Sequence, residues 1–267
     1  MKRKLAFVLV NLGIILPPLA AIGDKQQVEA TSTERVGFAA GGVIRVLHTF
    51  GSLNVEGWDR PEVEITVLKS IERYYEPKQR QQAAHSLERV RIVVDRRSDT
   101  EMTISTILPA KFFARLLGNK GGLIRGTGAS LDRVTGIVRH PLGGKGGLLL
   151  EYQIRVPRDS RLVIQHGPGS IFVSNVNGDV QATSSGGDIL LLLPDSGTYS
   201  IDAKSKLGTV SSDFEGASHR RHIVGSGFAR ATPLPSPRIY IRTGIGGITI
   251  KAVSVEAQAP PAARPRS

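Results

Sequence analysis

The chain contains no cysteine. Disulfides, thiolate metal sites and a lipid-modified cysteine behind an export signal are therefore excluded. Aromatic residues make up only 5% of the 267 positions, with a single Trp, so any core has to come from aliphatic side chains. Long apolar runs are scarce as well. After the N-terminus, no segment approaches the roughly 20 apolar residues that span a bilayer as a helix. The Gly-x-Ser-x-Gly elbow of many serine hydrolases is missing. Gly143-Gly144-Lys145-Gly146 is not a phosphate loop: Arg139 stands where that motif needs its first glycine, and Gly146 replaces its magnesium-binding hydroxyl residue.

Glycine, by contrast, is plentiful, at 30 residues, and it is patterned. The phrase glycine, variable, aliphatic, variable, aliphatic-or-small recurs from Gly42, Gly51, Gly169, Gly178, Gly187, Gly208 and Gly246, with a degenerate copy at Gly227. Starts at 42 and 51, and at 169, 178 and 187, are nine apart; from 187 the steps to 208, 227 and 246 are 21, 19 and 19. Such spacing predicts an all-β chain, a β-helix-like β-solenoid of 18 to 21 residues per coil, each coil holding two strand-and-turn units.

Lys2-Arg3-Lys4, an apolar run over 5–16 and Pro17-Pro18 followed by small residues predict a signal peptide over 1–23. A flexible leader is expected over 24–35 and a single solenoid domain over 36–253. A disordered Pro/Ala-rich tail is expected over 254–267. Pro77 and the helix formers after it predict one short helix near 77–88. Residues 109–147 read as a glycine-rich, basic insertion, with a short amphipathic helix near 111–117. Trp58, in a turn, is expected to cap or rim the solenoid.

The opening strands with Gly51-Ser52-Leu53-Asn54-Val55, the helix after the third strand, the phrase Tyr152-Gln153-Ile154-Arg155-Val156-Pro157 and the serial glycine turns resemble the bacterial putative-adhesin family. That resemblance covers 36–107 and 148–253. It implies an exported or envelope-associated β-solenoid domain of unknown function, without established catalytic activity.

Net charge is +12, and loss of Lys2, Arg3 and Lys4 with the signal leaves 32 basic against 23 acidic residues, or +9. For an exported chain the accessible polyanions are envelope glycans and lipids rather than nucleic acid. The expected function is a non-catalytic surface, scaffold or adhesion-type module in the periplasm, at the cell surface or outside the cell. Its expected partners are anionic glycans or lipids, or an envelope protein. Polyanion contacts are assigned to Lys111, Arg115, Lys120, Arg125, Arg220 and Arg221. No cofactor and no metal are expected: the His219 and His222 pair is flanked by arginines, and Asp179 and Asp188 follow glycine directly rather than alternating with it as in calcium-binding repeats. The alternatives are a polysaccharide-active β-helix enzyme, which needs clustered carboxylates, and a membrane-anchored envelope-stress accessory protein.

Overall fold

Aliphatic residues at every second position can all be buried on one side only if the backbone is extended. The computed structural model describes residues 26–107, 130–131, 138–139, 147–220, 225–233 and 235–254, and these are mostly strand. The first part holds β1 (Gln26–Gly37), β2 (Val43–Thr49), β3 (Ser52–Trp58), β4 (Glu62–Tyr75), helix α1 (Pro77–Glu88), β5 (Arg91–Ser98) and β6 (Glu101–Ile107). Two short strands, β7 (Ser130–Leu131) and β8 (Val138–Arg139), precede β9 (Gly147–Pro157), β10 (Arg161–Pro168), β11 (Ile171–Ser174), β12 (Val180–Gly186) and β13 (Ile189–Pro194). The remainder is β14 (Ser200–Leu207), β15 (Val210–Ser212), β16 (Ala217–Arg220), β17 (Ser226–Arg230), β18 (Arg238–Ile245) and β19 (Ile248–Val253).

These strands form two mixed sheets that do not close into a barrel. Sheet I runs β1-β4-β9-β3-β11-β13-β19-β15, with β7 and β8 attached beside β9; sheet II runs β16-β17-β14-β18-β12-β10-β2-β6-β5. Inward side chains of both sheets meet in one apolar cluster, among them Ile44, Val55, Ile154, Ile164, Val173, Leu191, Ile241 and Ile250. The Tyr152 and Thr106 hydroxyls, 2.7 Å apart, link the two sheets inside it.

The glycine phrases at Gly51, Gly169, Gly187, Gly208 and Gly246 mark where the chain crosses from sheet II to sheet I, while those at Gly42 and Gly178 lead into strands of sheet II. In each crossing pair, β2 with β3, β10 with β11, β12 with β13, β14 with β15 and β18 with β19, one strand lies in each sheet. The parallel register is strict: Ile171 pairs with Leu53 and Ile189, and Leu162 with Ile44 and Val180. The 18-residue step from 162 to 180 and from 171 to 189 is thus one layer.

Beyond β13 the chain does not climb the stack in order. Val180 pairs with Ile239 and Ile189 with Ile248, a step of 59, and β14 with β15 lies beyond that layer, Ile201 on Ile239 and Val210 on Ile248. The last layer in sequence is therefore inserted between two earlier ones. The degenerate copy at Gly227 lies in β17, which runs antiparallel to β14 and forms no layer. Equal sequence steps had suggested successive coils, but spacing alone does not say which neighbours pair.

Residues 26–35, expected as a loose leader, belong to a 12-residue strand antiparallel to β4. Its pattern is weak because only Val28 is buried while Ala30 and Val36 are partly covered, yet pairing along its length with β4 satisfies the backbone groups on that side. Helix α1 starts at Pro77, whose missing N–H costs nothing in a first turn, and presses Ala83 and Leu87 into the core beside β1 and β4. The expected signal peptide and the amphipathic helix near 111–117 lie outside the described residues, as does the tail after Ser254.

Candidate functional site

A buried polar row runs across the end of sheet II, where the chain turns toward sheet I. Thr49, His166, Ser184, Thr243 and Ser205 pair in register across five parallel strands, and all are buried. The His166 Nε2–H donates to the Gly51 carbonyl at 3.0 Å, so Nδ1 accepts from the Thr49 hydroxyl at 2.8 Å. Burial pulls this imidazole down from 6.5 to about 4, against the upward pull of its bond to Gly51. Ser184 bonds the Gly167 and Gly186 carbonyls, Ser205 the Gly246 carbonyl and Thr243 the Gly187 carbonyl. The row is a structural staple: it satisfies turn carbonyls that stacking has removed from water. Asp179 and Asp188 serve the same stacking. Asp179 accepts from the Arg238 N–H at 2.8 Å and Asp188 from the Gly247 N–H at 2.7 Å, each bonding an adjacent layer rather than its own turn.

The two outer faces differ in chemistry. On sheet I the charges cancel in a ladder: Arg35 pairs with Glu64 at 2.6 Å, and Arg155 with Glu64 at 3.0 Å and Glu56 at 3.3 Å. Trp58 lies between the Arg60 and Arg155 guanidiniums, 5.1 and 5.8 Å from its ring centroid, and its indole N–H donates to the Glu62 carbonyl. Its faces and its donor are thus engaged at the rim.

On sheet II, Arg45, Arg161, Arg238, Arg242 and Lys204 stand on neighbouring parallel strands, against Glu101, Asp179 and Asp202. Strand β18 alternates: Ile239, Ile241 and Thr243 point inward, leaving Arg238, Tyr240 and Arg242 on the surface. Because β18 is inserted between β12 and β14, Tyr240 sits in mid-sheet, opposite Gln181 on one side and Asp202 on the other. A groove of about 350 Å³ opens there, lined by Arg161, Asp179, Gln181, Asp202, Arg238 and Tyr240 among others. Arg242 stacks on Tyr240, 3.9 Å from the ring centroid, and is itself pinned to the Asp202 carboxylate and main-chain carbonyl at 2.5 and 2.8 Å.

Of the residues assigned to polyanion contact, Lys111, Arg115, Lys120, Arg125 and Arg221 lie outside the described residues. Arg220 closes β16, the edge strand of sheet II, paired with Ser226. His219 is exposed on the same strand, and His222 is outside the described residues. Among the described residues no three His, Asp or Glu side chains gather as a metal site, and no helix is long and apolar enough to cross a membrane. The sheet II arginines went unrecognised in the sequence although Arg45 sits inside a glycine phrase. Alternation did place it outward, but pairing across 118 residues, Arg45 with Val163, is what brings it toward the others.

No family model matches the chain, and neither does any curated protein. Among solved structures, a crystal structure described as that of a putative cell adhesion protein from Clostridium sporogenes is similar at 13% identity and a TM-score of 0.40, covering 84% of this chain and 100% of that one. At that distance, membership of the adhesin-like family does not follow.

Proposed function

We propose that this protein is an exported, non-catalytic, solenoid-like scaffold of the cell envelope that holds anionic polymers on the outer face of sheet II. The observation that carries the reading is the group of cations on the parallel strands of sheet II, Arg45 on β2, Arg161 on β10, Arg238 and Arg242 on β18, with Lys204 on β14 and the uncharged strand β12 among them. Strands in a sheet lie about 4.8 Å apart, so from β2 to β14 these cations are spread over roughly 19 Å of the face, a span suited to an extended chain. Export rests on the basic and apolar N-terminus.

The two carboxylates beside the groove favour binding over hydrolysis. Asp202 is held by Arg242, and Asp179 lies 3.7 Å from both Arg161 and Arg238. A glycosidase needs a pair of carboxyl groups facing the scissile bond, whereas these two are turned onto guanidiniums. The test is binding of the purified full chain to dextran sulfate, polygalacturonate and phosphatidylglycerol vesicles across a salt series. Binding that falls steeply with salt is expected; no binding to any of the three would contradict the reading.

A further inference from the structure

The groove beside Tyr240 is more specific than a cationic surface requires. Tyr240 is 41% exposed in the middle of a sheet face. Exposed aromatics are costly in water and useful where one ring face meets an apolar patch on a ligand. The Arg242 guanidinium covers one side of this ring and is locked by Asp202, so the ring is held before any ligand arrives, and the groove lies along its other side.

Across the groove, the Arg161 and Arg238 guanidiniums both stand 3.7 Å from the same Asp179 oxygen, with side chains 48% and 67% exposed. That distance is too long for hydrogen bonding, so their N–H groups remain open to a ligand. Gln181 lies in register with Tyr240 and is exposed, its amide making no hydrogen bond among the described residues.

Taken together, these groups offer an aromatic plane, two converging guanidiniums, a neutral amide and two carboxylate acceptors. A phosphate or sulfate group by itself presents acceptors only and leaves Tyr240, Asp179 and Asp202 without partners. A sugar carrying a carboxylate presents all three complements: a C–H face, an anion and hydroxyl donors. Resting on the proposal of polyanion binding, we infer that the groove is a subsite for a uronic-acid-type residue within an acidic polysaccharide. The sugar's C–H face lies on Tyr240, its carboxylate bridges Arg161 and Arg238, and its hydroxyls reach Gln181 and the aspartates. At about 350 Å³ the groove is near the lower end of ligand pockets and holds roughly one or two pyranose rings.

Calorimetric titration of the full chain with polygalacturonate, dextran sulfate and neutral dextran at one fixed ionic strength tests this. Polygalacturonate is expected to bind. Tyr240→Ala, the strand-compatible Tyr240→Thr and Arg238→Gln should each weaken it about tenfold or more, while Tyr240→Phe and Lys251→Gln, the latter on sheet I, stay within about twofold. All three positions are at the surface, and unchanged melting curves confirm that each variant folds. Polygalacturonate binding by Tyr240→Thr within about twofold of the parent would overturn the subsite. If dextran sulfate still bound in that case, the broader polyanion reading would survive. Failure of the parent to bind polygalacturonate would also overturn the subsite, and the broader reading would fall with it if dextran sulfate and phosphatidylglycerol vesicles did not bind either.

Discussion

Gly169 shows why the turn residue is glycine. Its φ is +135°, and a Cβ there would lie 1.8 Å from the Gly51 carbonyl oxygen of the layer below. Gly187 repeats the geometry against Gly169, Gly246 against Gly187 and Gly208 against Gly246, so the five glycines form a column of backbone in direct contact. Gly169→Ala should therefore lower stability by about 2–4 kcal/mol, from an unfavourable φ and an unrelieved clash. Gly37→Ala, with nothing within 4 Å of the new methyl group, should stay within about 0.5 kcal/mol. Urea denaturation of the two variants compares them directly.

His166 gives the fold a pH dependence whose direction is fixed. Its imidazole is pulled from 6.5 down to about 4 in the folded chain. Between those values the unfolded chain takes up the proton and the folded chain does not. The stability it protects is therefore fully present above pH 6.5 and lost progressively as pH falls toward 4, up to about 3 kcal/mol. Denaturation midpoints from pH 7.5 to 4.5 should drop less for His166→Asn than for the parent, and parallel slopes would show that His166 does not titrate in this way. The buried row to which His166 belongs was open to detection in the sequence. His166, Ser184, Ser205 and Thr243 each stand three residues before a glycine of the column. Hydrophobic alternation passes over that signal, because a polar residue at a strand end reads as the start of a loop.

At the scale of elements, the layers bury their inward aliphatics against one another, two on most strands, among them Ile171 and Val173 on β11 and Ile239 and Ile241 on β18. Val180 on β12 and Ile189 on β13 are fully enclosed. Val180→Asp should cost several kcal/mol, on the order of 3–5, by placing an unpaired charge in the core; an unchanged melting transition would contradict the assigned inward face. Leu87→Ala on α1, where the side chain is 1% exposed, should cost about 2–4 kcal/mol through the cavity it leaves. The strands, α1 and the inward positions were legible because period-two patterning, Pro77 and the helix formers after it act locally. The order of the layers was not legible. Which strand lies beside β13 depends on contacts 59 residues apart, and β18 with β19 carries the same phrase as β14 with β15. A local pattern shared by both cannot rank them.

At the scale of the whole molecule, two sheets share one core but face solvent differently, one with Arg–Glu pairs around Trp58 and one with a groove of arginines and aspartates around Tyr240. Purified from the exported fraction, the protein should begin near Asp24, two residues before β1 starts at Gln26. N-terminal sequencing that finds the first apolar run retained would support an anchored form instead. The site was hidden in the sequence because its residues come from four strands that are brought together only by the inserted layer. The cations assigned to polyanions from the sequence cluster near 111–125 and 220–221, whereas Arg45, Arg161, Arg238 and Arg242 on the face of sheet II are a different set.

The most direct test sets the two faces against each other. Arg45→Gln/Arg161→Gln/Arg238→Gln removes three cations from sheet II, and Arg35→Gln/Arg60→Gln/Lys251→Gln removes three from the sheet I side. Polygalacturonate affinity of each full-length triple variant is measured against salt concentration. The sheet II variant should lose about tenfold or more at low salt and show a flatter salt dependence, while the sheet I variant stays within about twofold of the parent. Equal losses from both triples, or no loss from the sheet II triple, would contradict the assignment of sheet II as the binding face.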